Sequence, residues 1–155
     1  QAAERQRGYV RKLAKSGAFT PQAVVSGDTS VVGSNRAALL EAVGEDRDAL
    51  AIELSRNGRT LLIDFLEPWR GRMDVHVISY LNEATTRVGS GENARRTLRQ
   101  HNIVRSIQRL GTWDGRPQQM KFSLASVPRD ATSIAVLLQL PGQGAIAGAA
   151  TLPLG

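Results

Sequence analysis

The feature that most limits what this chain can fold into is an alternation of apolar and polar residues with period two. It runs from residue 50 to residue 152 in short segments separated by turn residues. Successive side chains of a strand point to opposite faces, so such alternation marks strands with one face inward. The segments are 50–55, 60–67, 73–81, 84–88, 119–124, 133–140 and 145–152. Asn57-Gly58 turns the chain between the first two, and Pro141-Gly142-Gln143-Gly144 between the last two. Strands at this spacing predict an antiparallel β-sandwich. Residues 97–110 read two ways: Ile103, Val104, Ile107 and Leu110 suit a helix, while Thr97, Leu98 and the β-branched pair suit a strand. Strand is preferred, because a sandwich is being built around the segment.

The first 44 residues have a different pattern. Residues 2–15 read as a helix with Ala3, Val10, Leu13 and Ala14 near one face, Lys12 and Lys15 in the last turn and Gly17 as the stop. Gln1 is a poor N-cap, so the sequence reads as beginning inside a helix. Thr20-Pro21 then leads into a hairpin, 22–26 and 30–33, turned at Gly27-Asp28. Ser34 is placed to cap a second helix over 35–43, with Ala37, Leu40 and Val43 inward and Gly44 at its end. A unit of this size closes no core alone, so the hairpin is expected to pair with strands from elsewhere.

Composition excludes some chemistries and leaves others undecided. At 155 residues, 41% hydrophobic and 22% charged, the chain is ordinary globular material. It contains no apolar run of transmembrane length and no signal-type stretch at its start. The net charge of +6 is spread along the chain, which favours a solvated basic surface over a nucleic-acid site. With no cysteine, the chain has no disulfide, thiolate metal site or cysteine nucleophile of its own. "GSGENA" at 89–94 matches a dinucleotide-binding glycine pattern, but it lies between antiparallel strands and Glu92 opposes a phosphate, so it reads as a turn. His76 alternates with Val75 and Val77 and reads as the solvent-side residue of a strand. His101, Asn102 and Arg105 read as a structural polar cluster, and Trp69 and Trp113 as lids over the sandwich ends. Neither histidine has a second ligand at zinc-site spacing, so no metal is expected, and no cofactor is indicated.

Two segments are more specific than these patterns. "AFTPQAVVSGDTSVVGSNRAALLEAV" (18–43) and "VGSGENARRTLRQHNIVRSIQRLGTWDG" (88–115) resemble the secreted bacterial family of domain of unknown function 1223, and the resemblance spans nearly the whole chain. It implies a thioredoxin-like domain followed by a β-rich domain, with a Cys-x-x-Cys segment upstream of the region matching Gln1. Thr20 and Pro21 match the family's threonine-proline pair, which implies a cis proline adjacent to the redox site. The implied fold is α+β: the C-terminal half of a thioredoxin-like domain over 1–44, a connector at 45–48 and an antiparallel β-sandwich over 49–155. The implied function is that of a portion of a periplasmic or secreted thioredoxin-like protein, with a thiol-disulfide role only where an upstream cysteine pair is supplied. The other reading is a non-catalytic accessory or assembly subunit that binds a larger periplasmic or membrane-associated partner. Its partner would be a protein, or the N-terminal segment that completes the thioredoxin-like sheet, with Arg95, Arg96 and Arg99 as contact candidates. Neither reading places a catalytic residue, a cofactor or nucleic acid on this chain.

Overall fold

The computed structural model describes residues 2–13, 19–45, 48–87 and 97–155. The chain is mostly β. Helix α1 (Ala2–Leu13) is followed by strands β1 (Gln22–Val25) and β2 (Thr29–Val32) and helix α2 (Arg36–Gly44). Then come β3 (Ile52–Asn57), β4 (Thr60–Phe65), β5 (Met73–Arg87), β6 (Thr97–Trp113), β7 (Gln118–Ser123), β8 (Ser133–Gln139) and β9 (Ile146–Pro153).

The strands after residue 50 form two antiparallel sheets, β3-β4-β7 and β6-β5-β8-β9. Their inward residues make one core. Leu61, Ile63 and Phe65 of β4 and Phe122 of β7 face Met73, Val75 and Val77 of β5 and Ile134, Val136 and Leu138 of β8. Every second residue along β4, and along β5 as far as Ser79, is buried, as the period-two pattern requires. Trp113 ends β6 opposite Met73, which turns its ring inward onto Phe65 with ring centroids 5.0 Å apart. Its indole N–H donates to the Arg116 carbonyl at 2.7 Å, which satisfies the polar edge of a ring only 1% exposed. Trp113 is therefore a core residue and not a lid, whereas Trp69 lies exposed in the β4–β5 loop.

Residues 97–113 are a strand, and β5 runs through Asn82-Glu83 without the break that the sequence suggested. The two long strands pair from Met73↔Trp113 to Arg87↔Thr97, with register shifts at Val75/His76 and Ser79/Tyr80. β8 accompanies β5 only as far as Tyr80↔Ser133. Beyond that point β5 and β6 continue as a two-stranded ribbon.

The first 44 residues correct the expected fold class. β1 and β2 form a two-stranded sheet of their own, and among the described residues no further strand is hydrogen-bonded to either edge. The α+β expectation of half a thioredoxin-like domain is thus not met, and of the strands from elsewhere that the hairpin was expected to pair with, those of the β-rich part do not pair with it. The hairpin docks by its tip instead. Ser26 (φ +50°) and Gly27 (φ +77°) make the turn, and the Ser26 carbonyl accepts from Ile146 N at 2.6 Å. A β-carbon on Gly27 would fall 2.5 Å from the Gly144 carbonyl oxygen, so both its φ and this close approach call for glycine. The Thr20–Pro21 peptide is cis.

Trp113→Ala removes the largest buried side chain and its ring partner's contact. It should lower unfolding free energy by about 3–5 kcal/mol, read from the urea midpoint at unchanged slope.

Candidate functional site

While Met73, Val75 and Val77 of β5 face the core, Asp74, His76, Ile78 and Tyr80 face the other side of the four-stranded sheet. Helix α1 lies across that outer face, held by a buried amide. Gln139, opposite Asp74 on β8, accepts from Arg5 Nη2 at 2.9 Å and donates to the Tyr9 hydroxyl at 2.7 Å and the Gly144 carbonyl at 2.9 Å. Arg5 also reaches the Tyr9 hydroxyl at 3.2 Å and lies 5.7 Å from its ring centroid. A fully buried amide is tolerable only with such partners.

Between α1, the outer face of β5 and β6 and the 142–143 turn lies a cleft of about 570 Å³. Its walls carry Arg5, Arg11 and Lys12 from α1, His76 from β5, Arg109 from β6 and, among the described residues, a single carboxylate, Glu4. Arg109 is compensated by Asp74, with Nη2 to Oδ1 at 2.6 Å. Arg5 is held by neutral acceptors, and the side chains of Arg11 and Lys12 have no hydrogen bond or ion pair among the described residues. Gly8 lies against the Gln143 side chain: a β-carbon there would fall 1.6 Å from Gln143 Oε1, and the Gln143 amide would have to swing away. His76 is half-buried and not the solvent-side residue expected, because α1 covers that face. Its Nδ1 is buried and has no hydrogen-bond partner among the described residues. Burial first, then the positive charges of Arg5 and Arg109, hold its pKa below the ordinary histidine value, against the opposing pull of Asp74.

A second surface lies on α2. Asn35, and not Ser34, is the N-cap, its Oδ1 accepting from Ala38 N at 3.1 Å. The cap leads into a helix that buries Ala42 and half-buries Ala38 and Leu39, leaving Leu40 (55% exposed) and Val43 (63% exposed) outside. The stripe expected to face inward, Ala37, Leu40 and Val43, is the exposed one. Val32 at the end of β2 is also exposed.

The residues singled out from sequence are not brought together. Thr20 and Pro21 are exposed at the entry to β1, where the Pro21 carbonyl accepts from Gly33 N at 2.8 Å. Arg99 sits on the protruding ribbon and pairs with Glu83, while Arg95, Arg96 and the 89–94 glycine stretch lie outside the described residues. His101 lies 3.8 Å from Glu83 and Arg105 pairs with Asp130, so these two form no common cluster. Sequence reasoning does not reach the cleft because Arg109 and His76 stand far along the chain from Arg5, Arg11 and Lys12. Only the helical spacing of Arg5, Arg11 and Lys12 was there to be read.

Gln139→Leu keeps the volume but removes every hydrogen bond of the amide, so stability should fall by about 1–3 kcal/mol. Hydrogen exchange at the amides of α1 should accelerate with it. For His76 the folded value lies below the unfolded one near 6.5, so the unfolded chain takes up the proton first. Its contribution is therefore full above that value and declines as pH falls below it. His76→Gln should flatten this decline in urea midpoints measured between about pH 7.5 and 5.5.

No curated protein matches the chain. It is similar to the crystal structure of an Agrobacterium tumefaciens protein, a structural-genomics target, at 27% identity and a TM-score of 0.76, with 99% of this chain and 70% of that chain covered. The family model for proteins of unknown function, DUF1223, matches residues 1–139. On that match, over most of its length, the chain belongs to the DUF1223 family.

Proposed function

We propose that this chain is a docking module whose hairpin and second helix receive a further polypeptide, which pairs with an open edge of the β1-β2 sheet and covers Leu40 and Val43. The observation that carries the reading is the apolar stripe of α2 left exposed beside a sheet with no strand on either edge among the described residues. Unpaired strand edges are templates for another chain, and exposed aliphatic side chains at one place favour a covering surface. The Agrobacterium relative supports it, since that protein carries polypeptide that this chain does not match. With no cysteine in the chain, any thiol-disulfide exchange would use cysteines of the added polypeptide. The proposal includes the periplasmic or secreted location that the family resemblance implies.

The test supplies the unmatched part of the Agrobacterium relative as a separate polypeptide and follows association by size-exclusion chromatography with light scattering. A one-to-one complex is expected. Leu40→Asp with Val43→Asp should weaken it more than tenfold, since burying each aliphatic side chain contributes about 1.5 kcal/mol or more. No complex, or one unchanged by the double substitution, would overturn the reading. So would self-association through the same residues, which would make a second copy the occupant.

A further inference from the structure

We propose that the cleft between α1 and the outer face of β5 and β6 binds a small organic polyanion, a molecule carrying two or more carboxylate or phosphate groups. The charge around the cleft is not the ordinary mixture of a solvated surface. The three arginines of β6 meet acids: Arg99 meets Glu83 and Arg105 meets Asp130, and at the cleft margin Arg109 meets Asp74. Within the cleft, Arg5, Arg11 and Lys12 stand against Glu4 alone, an excess of two positive charges with no counter-charge among the described residues. That excess matches a dianion.

Size and lining narrow the class further. A cavity of about 570 Å³ is in the range that holds an organic molecule and is far larger than one simple ion needs. Ile107 gives the wall an apolar patch for a carbon skeleton, and Gln143 adds a neutral polar side chain. The lining includes no tryptophan, tyrosine or phenylalanine on which a base could stack, and the cations surround a recess instead of forming a stripe along which a nucleic-acid backbone could run. Arg5 is oriented in advance by Gln139 and Tyr9, so little side-chain freedom remains to be lost when a ligand arrives. His76 stands in the same wall, its Nδ1 buried behind the lining.

Binding should be linked to protonation of His76. The groups around it are Glu4, Arg5, Arg11 and Lys12 on α1, Asp74 on its own strand and Arg109 on β6. Arg5 and Arg109 disfavour the imidazolium, and an anion in the cleft offsets them, so the pKa of His76 should rise in the complex and affinity should increase as pH falls toward it.

The experiment titrates the purified chain with citrate and, separately, with pyrophosphate by calorimetry at low ionic strength, which distinguishes carboxylate from phosphate recognition. One-to-one saturable binding of at least one probe is expected. Arg11→Gln with Lys12→Gln should weaken it at least tenfold, because two charge-assisted contacts are removed. Arg70→Gln with Arg72→Gln lowers the net charge equally, at exposed positions away from the cleft, and should change affinity less than about twofold. In the unsubstituted protein, amide shifts on titration should concentrate at residues 4–12, 76, 107–109 and 142–143, with His76 titrating at higher pH in the complex. The proposal is overturned if neither probe saturates below about 10 mM, if the two double substitutions weaken binding equally, or if the shifts scatter over the basic surface.

Discussion

The pleat of β5 is the constraint on which the rest of the structure depends. Because side chains alternate across a strand, the same residues that send Met73, Val75 and Val77 into the core must send Asp74, His76 and Ile78 to the opposite face. That opposite face is not left to water. β6 and β8 flank β5 and extend the surface on both sides, and α1 crosses it. A register slip of one residue would exchange the two sets and lose the core and the cleft together. The aliphatic core on one side thus fixes the position of the titratable groups on the other.

The two faces are stabilised differently. Inside, aliphatic and aromatic burial dominates, with Phe65 on Trp113 as its largest pair. Outside, α1 is held by a polar contact, the buried amide of Gln139, whose oxygen and nitrogen both have partners. Such an anchor specifies position more than it adds net stability, because folding exchanges water hydrogen bonds for protein ones. It sets Arg5 at the edge of the cleft, where Gly8 of the same helix lies against the Gln143 side chain of the facing turn.

What could be read from the sequence follows from what is local. Alternation and turn residues marked the strands after residue 50, since both depend on neighbours within a few positions. Asn82-Glu83 looked like a break because polar residues interrupt the alternation there, yet the ribbon at that point is exposed on both sides, so alternation has no core to serve. α2 was assigned the wrong buried face for a related reason. Ala37, Leu40 and Val43 compete with Ala38, Leu39 and Ala42, two apolar faces on one short helix, and only packing against the hairpin decides between them. The strand pattern alone puts His76 in solvent because its cover, α1, comes from more than sixty positions earlier. The cleft shares that origin: no local pattern states that Arg5 and Arg109 face one space.

The two proposed surfaces are joined by one short piece of backbone. The hairpin tip rests on residues 144–146 through Ser26 and Gly27, and the Gly144 carbonyl is also an acceptor for Gln139, the anchor of α1. Two residues earlier the same turn lines the cleft with Gly142 and Gln143. The hairpin-tip contacts are made by main-chain atoms and by Gly27, a position without a side chain, whereas Gln139 reaches the Gly144 carbonyl with its side-chain amide. A displacement of the hairpin tip must move the turn, or break hydrogen bonds that leave buried groups without partners at a cost of about 1–3 kcal/mol each. The 140s turn thus holds the hairpin through backbone contact and α1 through one side-chain amide, and the placement of both elements on the β-rich part depends on it.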